Sequence, residues 1–250
     1  GLGGYGNGYV NAVLDHADEL GVELVGAVDP APRGCGRLDE VKAIVGQVDG
    51  SLDAFYARSS ADVTVISAPI HLHASYSVTA TEHGSHVLCE KPAAATPADA
   101  SRMAAAARTH DRVLAIGYQW SFSNTVQRIR REIAAGRFGA PLDLRTLVFW
   151  PRGLGYYGRN EWAGALTTGS GEHVMDSPVN NATAHYLHNA LFVLGREAGA
   201  PRSVQAELYR ANTIESFDTG ALRVITASGA SILFATTHAV PSNVGPVIHY

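Results

Sequence analysis

The sequence predicts an α/β protein in two parts: a doubly wound parallel sheet over residues 1–120 and an α+β domain with a largely antiparallel sheet over residues 121–250, the boundary lying near Ser121. Two observations carry this. Up to Tyr118, short apolar runs alternate with helical patterns of roughly ten residues, the signature of parallel strands joined by crossover helices. Beyond Ser121, strand-like runs follow one another through short turns, which suits antiparallel pairing.

The elements follow in order. Gly1, Gly3 and Gly6 form G-x-G-x-x-G, and Asn7–Leu20 continues with helical spacing (Val10, Val13, Leu14, Ala17) to a stop at Gly21. Glycines are needed where a backbone turns sharply and approaches a diphosphate, whose charge then rests on a helix N-terminus. Such a fingerprint gains weight from a helix after it and an acid about 20 residues on. Both are present: Glu23–Val28 reads as a strand, and Asp29 stands at its end. Asp29 is expected to accept hydrogen bonds from ribose hydroxyls and to repel a 2′-phosphate, which favours NAD; Arg33, four residues on, keeps NADP as the alternative.

Leu38–Val45 is helical, and Leu52–Ala57 is a short helix with Ser51 as N-cap. Asp62–Ser67 is a strand, Ala74–His83 a helix closed by Gly84, and Val87–Cys89 a buried strand ending in Glu90-Lys91-Pro92. That tripeptide puts a cation at the carboxyl edge of the sheet, where ligands of open α/β sheets bind. Thr96 with Pro97 opens a helix to about Arg108, and Val113–Tyr118 is one more strand. In the second part, Ser123 caps a helix through Ala135. Strands are expected at Leu142–Trp150, Val204–Tyr209, Ala221–Thr226 and Ile232–Thr237, with a hairpin turn at Ser228-Gly229-Ala230. Ser177-Pro178 opens a helix ending at Gly195, on which Asn181, His185 and His188 share one face by their i, i+4, i+7 spacing.

Composition excludes several classes. A net charge of −4 with interspersed signs offers no footprint for nucleic acid or a membrane surface. The arginines at 128, 130, 131 and 137 accompany a Val126, Ile129, Ile133 stripe and read as the wet face of an amphipathic helix. No apolar run reaches the eighteen residues that a spanning helix needs. Cys35 and Cys89 cannot build a disulfide framework, so a reducing, cytoplasmic setting is expected. No metal is expected: His71 with His73, and His185 with His188, lack a third ligand by spacing. The chain begins on glycine rather than Met, where the strand preceding the glycine motif should have ended, so truncation is expected.

The glycine loop, Asp29, the Ala68-Pro69-x-x-x-His73 turn and Gly84-Ser-His-Val-Leu-Cys-Glu-Lys-Pro92 together resemble the Gfo/Idh/MocA family of glucose-fructose oxidoreductases and inositol dehydrogenases. The resemblance covers essentially the whole chain, though the family runs longer at both ends. It implies a Rossmann-type N-terminal domain, with Pro69, His73, Glu90 and Lys91 beside the cofactor. It also implies a cis Lys91–Pro92 peptide and an open-faced C-terminal sheet that carries substrate and forms a homo-oligomer interface. Lys91 would hold the substrate hydroxyl oxygen as hydride leaves carbon.

The family's second domain places an Asp and, four residues on, a His that exchanges a proton. Asp176 matches the Asp, but the later position is Asn180, which cannot exchange a proton near neutral pH. His185 or His188 would then relay the proton, His185 being nearer the helix start, or Asp176 with Lys91 would suffice. The leading expectation is an NAD-dependent dehydrogenase of a sugar, cyclitol or polyol. The alternatives are an NAD-retaining enzyme that cleaves glycosides through transient oxidation, and a non-catalytic dinucleotide or sugar sensor.

Overall fold

The structure, a computed structural model, describes all residues from Gly1 to Tyr250. They form two compact units, Gly1–Gly117 and Tyr118–Tyr250.

In the first unit, helix α1 (Gly6–Leu20) follows the glycine run at once and ends at Gly21, whose φ of 64° is the left-handed conformation glycine adopts cheaply. Strand β1 (Ala27–Val28) leads through α2 (Leu38–Val45) to its parallel partner β2 (Val48–Asp49). Helix α3 (Leu52–Tyr56) starts where the Ser51 hydroxyl accepts the Ala54 N–H. Strands β3 (Val63–Ile66), β4 (His86–Cys89) and β5 (Leu114–Ile116) then form a parallel sheet in that order. Helices α4 (His73–Glu82) and α5 (Pro97–Thr109) are the crossovers, and Thr96 caps α5 with Pro97 in its first turn. Ile66, Ala80, Val87, Cys89 and Met103 form the core between sheet and helices. Leu2, Ala27, Cys35 and Val41 form a second cluster beneath the glycine loop.

Every ladder in this unit is parallel, as the alternation predicts. The strand expected over Glu23–Val28 shrinks to Ala27–Val28, because β2 offers only two residues to pair with it. β2 itself is too short to leave a periodic signal.

In the second unit, α6 (Asn124–Ala134) is capped by Ser123 and packs Val126, Ile129 and Ile133 onto the core. The sheet comprises β6 (Asp143–Phe149), β7 (Pro201–Tyr209), β8 (Thr219–Thr226), β9 (Ser231–Thr237) and β10 (Val244–His249). Their spatial order is β10-β6-β9-β8-β7; three pairings are antiparallel and β6–β9 is parallel, so the sheet is mixed. Between β6 and β7 lie the short helix α7 (Leu154–Tyr157) and α8 (Ala184–Leu194). Burial alternates along β9, whose Ile232 and Phe234 are fully buried, Ile232 in the cluster of Leu144, Ala190 and Val193 and Phe234 against Val148 and Tyr186.

The helix expected to run unbroken from Pro178 to Leu194 does not. Pro178–Ala182 forms a π-helical turn, and Thr183 leaves helical geometry at φ −112°, ψ 8°. Its N–H reaches back five residues to the Pro178 carbonyl, and its hydroxyl donates to the same oxygen at 2.7 Å. The extra residue in that turn separates Asn181 from the face carrying His185 and His188.

Candidate functional site

The glycine loop is shaped by what its glycines touch. A Cβ on Gly6 would lie 2.3 Å from the Gly1 carbonyl oxygen, and one on Gly1 would lie 2.7 Å from that of Ser67. Gly3 packs on the Gly34 backbone, where a Cβ would find 3.4 Å. Gly4 holds φ 55°. Tyr5 at the cap of α1 makes no side-chain cap bond, and the first N–H groups turn back to the Gly3, Gly4 and Tyr5 carbonyls. Asp29 secures the loop: one carboxylate oxygen accepts the Leu2 N–H at 2.7 Å and the other the Ala31 N–H at 2.8 Å. A close-approach loop at a helix start with an acid beside it fits a dinucleotide.

Replacing Gly6 with Ala therefore drives a side-chain carbon into main chain rather than into a flexible group. We expect about 1–3 kcal/mol of strain, seen as a rise of about 5- to 150-fold in the NADH dissociation constant by fluorescence titration.

At the carboxyl edge of β4 the sequence-predicted residues gather around one turn. Glu90 is buried, and its Oε1 accepts the Tyr9 hydroxyl from α1 at 2.6 Å while Oε2 accepts the Lys91 N–H at 3.2 Å. Gly117, just past β5, is close enough that a Cβ would lie 2.9 Å from Oε1. Burial and the Glu90 carboxylate push the Tyr9 phenol well above its ordinary pKa, so it stays a donor. The Lys91–Pro92 peptide is cis. His73 is 1% exposed, with Nδ1 2.8 Å from the Pro92 oxygen and Nε2 2.9 Å from that of Ala68. Its ring thus braces the Lys91-Pro92 turn against the Ala68-Pro69 turn. Burial lowers its pKa, opposed by those two carbonyls. Burial also pushes the Cys89 thiol up to about 12, which makes it a packing group and not a nucleophile.

The second unit holds another constellation. Asp176 is buried; Oδ2 accepts the Gly164 N–H at 2.7 Å, Oδ1 accepts from the Asn181 amide at 2.8 Å, and the Arg159 guanidinium lies 3.9 Å from Oδ2. Met175 before it carries φ 54°, a strained value for a branchless but bulky residue, and the Asn180 amide donates to its carbonyl at 3.0 Å. Asn180 therefore supports a turn. Gly164 and Tyr157 line a cavity of about 300 Å³ together with Ala163, Ile214 and Glu215.

His185 and His188 both meet Tyr118. The His188 ring stacks on it at 4.1 Å between centroids, and the His185 ring, on a buried residue, presents an edge at 5.8 Å. Ser121 donates to the Asn189 oxygen at 2.7 Å and lies 2.8 Å from His188 Nδ1, which fixes the proton on Nδ1 and leaves Nε2 basic. Burial lowers the His188 pKa.

Residues 1–118 match the model of an oxidoreductase family with an NAD-binding Rossmann fold. These residues are thus similar to the Gfo/Idh/MocA family of oxidoreductases. Inositol 2-dehydrogenase 1 of Saccharopolyspora erythraea is 33% identical over 62% of this chain and 48% of its own. The 2,7-anhydro-N-acetylneuraminate hydratase of Mediterraneibacter gnavus is 25% identical over 80% of this chain and 50% of its own. The chain thus spans about half the length of these relatives. The crystal structure of the WlbA dehydrogenase from Bordetella pertussis, in complex with NADH and UDP-GlcNAcA, superposes with a TM-score of 0.82 at 28% identity, covering 98% of this chain and 70% of that one.

Sequence reasoning missed Tyr9, Tyr118, Arg152 and Arg159. Tyr9 leaves no signal beyond its place one turn into α1. The arginines do leave one: Arg152, Tyr156, Tyr157, Arg159 and Trp162 interleave cations with aromatic rings at helical and turn spacing.

Proposed function

We propose that the protein is an NAD-dependent oxidoreductase moving a hydride between the nicotinamide and a hydroxyl-bearing carbon of a sugar, cyclitol or polyol, with NADP as the lesser cofactor. The observation that carries this reading is the Tyr9–Glu90–Lys91 turn at the edge of β4, in the same unit as the glycine loop and Asp29. NAD supplies the hydride acceptor. Gly1, Gly3 and Gly6 admit its diphosphate, and Asp29 takes a ribose hydroxyl while holding the loop. Glu90 and Pro69 shape the turns near it, and His73 acts by bracing them. Lys91 holds the substrate oxygen and stabilises the charge that develops there.

In the second unit, His185, with His188 beside it on Tyr118, is the group we assign to proton relay. Asp176 orders the Gly164 wall. The buried thiols of Cys35 and Cys89 suit a reducing, cytoplasmic setting. Val204 and Leu208 stand exposed on one side of β7, which suits packing of the sheet against a second copy.

Incubating the intact protein with NAD and a polyol and glycoside panel tests the reading: reduced nicotinamide should accumulate with an oxidised product. The hydratase relative favours one other outcome, in which transient oxidation returns the hydride and product forms without net reduction. Asp29→Ala should weaken NAD about 10- to 100-fold by calorimetry, since a charged acceptor contributes about 1.5–3 kcal/mol. Unchanged NAD affinity in that variant overturns the cofactor site.

A further inference from the structure

Arg152 follows β6 and is tied by its N–H to the His238 carbonyl at 3.0 Å. Its guanidinium lies 5.0 Å from the centre of the Tyr156 ring and 5.8 Å from that of Trp150. Arg159 stacks on the same Tyr156 ring at 3.7 Å and reaches Trp162 at 5.3 Å. Two cations sharing one aromatic ring repel each other unless an anion joins them. The acids nearby do not fill that role. Asp176 is engaged by Gly164 and Asn181 and approaches only Arg159. Asp218 is engaged by Ala211, Asn212 and Thr219.

Arg152 forms no ion pair: its Nε is buried with no hydrogen-bond partner, and its other contacts are neutral, the Pro151 carbonyl and the Tyr156 hydroxyl. His238, 3% exposed, adds a second such atom: Tyr157 bonds its Nδ1 at 3.0 Å, and its Nε2 is buried without a partner. Burial and the two guanidinium groups push this imidazole down to about 4, so it is neutral near pH 7. In the tautomer whose Nδ1 accepts the Tyr157 hydroxyl, the ring proton lies on Nε2 and offers a further donor. Buried donors without acceptors are costly, and a bidentate guanidinium beside them suits a planar or tetrahedral oxyanion.

We propose that Arg152 and Arg159, with His238, form a subsite for the anionic substituent of the substrate, so that the preferred sugar carries a carboxylate or a phosphate. This rests on the reading that the second unit carries the substrate. Its recognition step involves no bond making, only charge-assisted hydrogen bonds. Calorimetric titration of the intact protein, with and without NADH, against glucuronate, glucose 6-phosphate and glucose tests it.

One of the two anionic sugars should bind about 10- to 100-fold more tightly than glucose, and which one does so names the anion. That preference should collapse in Arg152→Met and be partly restored in Arg152→Lys, which keeps the charge without the fork. Equal affinity for all three sugars, no binding of any, or a preference that survives both Arg152→Met and Arg159→Met overturns the subsite. Absent nicotinamide reduction with the preference intact counts against the dehydrogenase reading alone.

Discussion

Lys91→Met should lower kcat by about 100- to 1,000-fold, the loss typical of removing one preorganised donor to a developing oxyanion. The substitution keeps the length and apolar stem of the side chain and deletes its ammonium. The Lys91 main chain is held independently, through its N–H to Glu90 and through Pro92, whose carbonyl faces His73. The turn should therefore survive, and NADH affinity should stay within about threefold, as for substitutions that leave packing intact. Steady-state rates beside a cofactor titration separate the two effects. A variant that keeps its rate removes Lys91 from the chemistry.

Asp176→Ala should act mainly on stability. The carboxylate satisfies the Gly164 N–H and the Asn181 amide, both in buried surroundings. Deleting it leaves two donors without acceptors, at about 1–3 kcal/mol each, or about 2–6 kcal/mol together. It also releases Arg159 from its nearest acid. The loss should appear as a lower denaturant midpoint with an unchanged slope. Asp176→Asn retains one acceptor and should recover part of the difference. If Asp176→Ala instead melts like the parent but is inactive, Asp176 works on substrate directly.

Much of the fold was legible because the chain marks its own boundaries. Ser51, Thr96 and Ser123 precede their helices, and each hydroxyl or side chain accepts the expected backbone N–H. Gly21, Gly84 and Gly229 stand where the backbone needs positive φ. What escaped had contrary local chemistry. β10 contains Gly245-Pro246 and an irregular register between Val244 and Val247, so its pattern never alternates cleanly. The π turn before α8 adds a residue that a 3.6-residue period cannot register, which is why Asn181 was grouped with His185. The same limit applied to the site. Spacing along one element finds Glu90 and Lys91, but Tyr9 reaches Glu90 across 81 residues, and no local pattern announces that contact.

The mixed sheet has a consequence for how the second unit is made. β6 lies between β9 and β10, so residue 143 waits for residue 231 and residue 149 for residue 244 before either edge is covered. During synthesis this strand leaves the ribosome with both flanks bare. Its Leu144, Thr146 and Val148 side chains, later all buried, are then a standing invitation to mispairing until β9 and β10 arrive. Chaperone demand should thus fall on the late-closing β6 ladder, whose two neighbours emerge long after it.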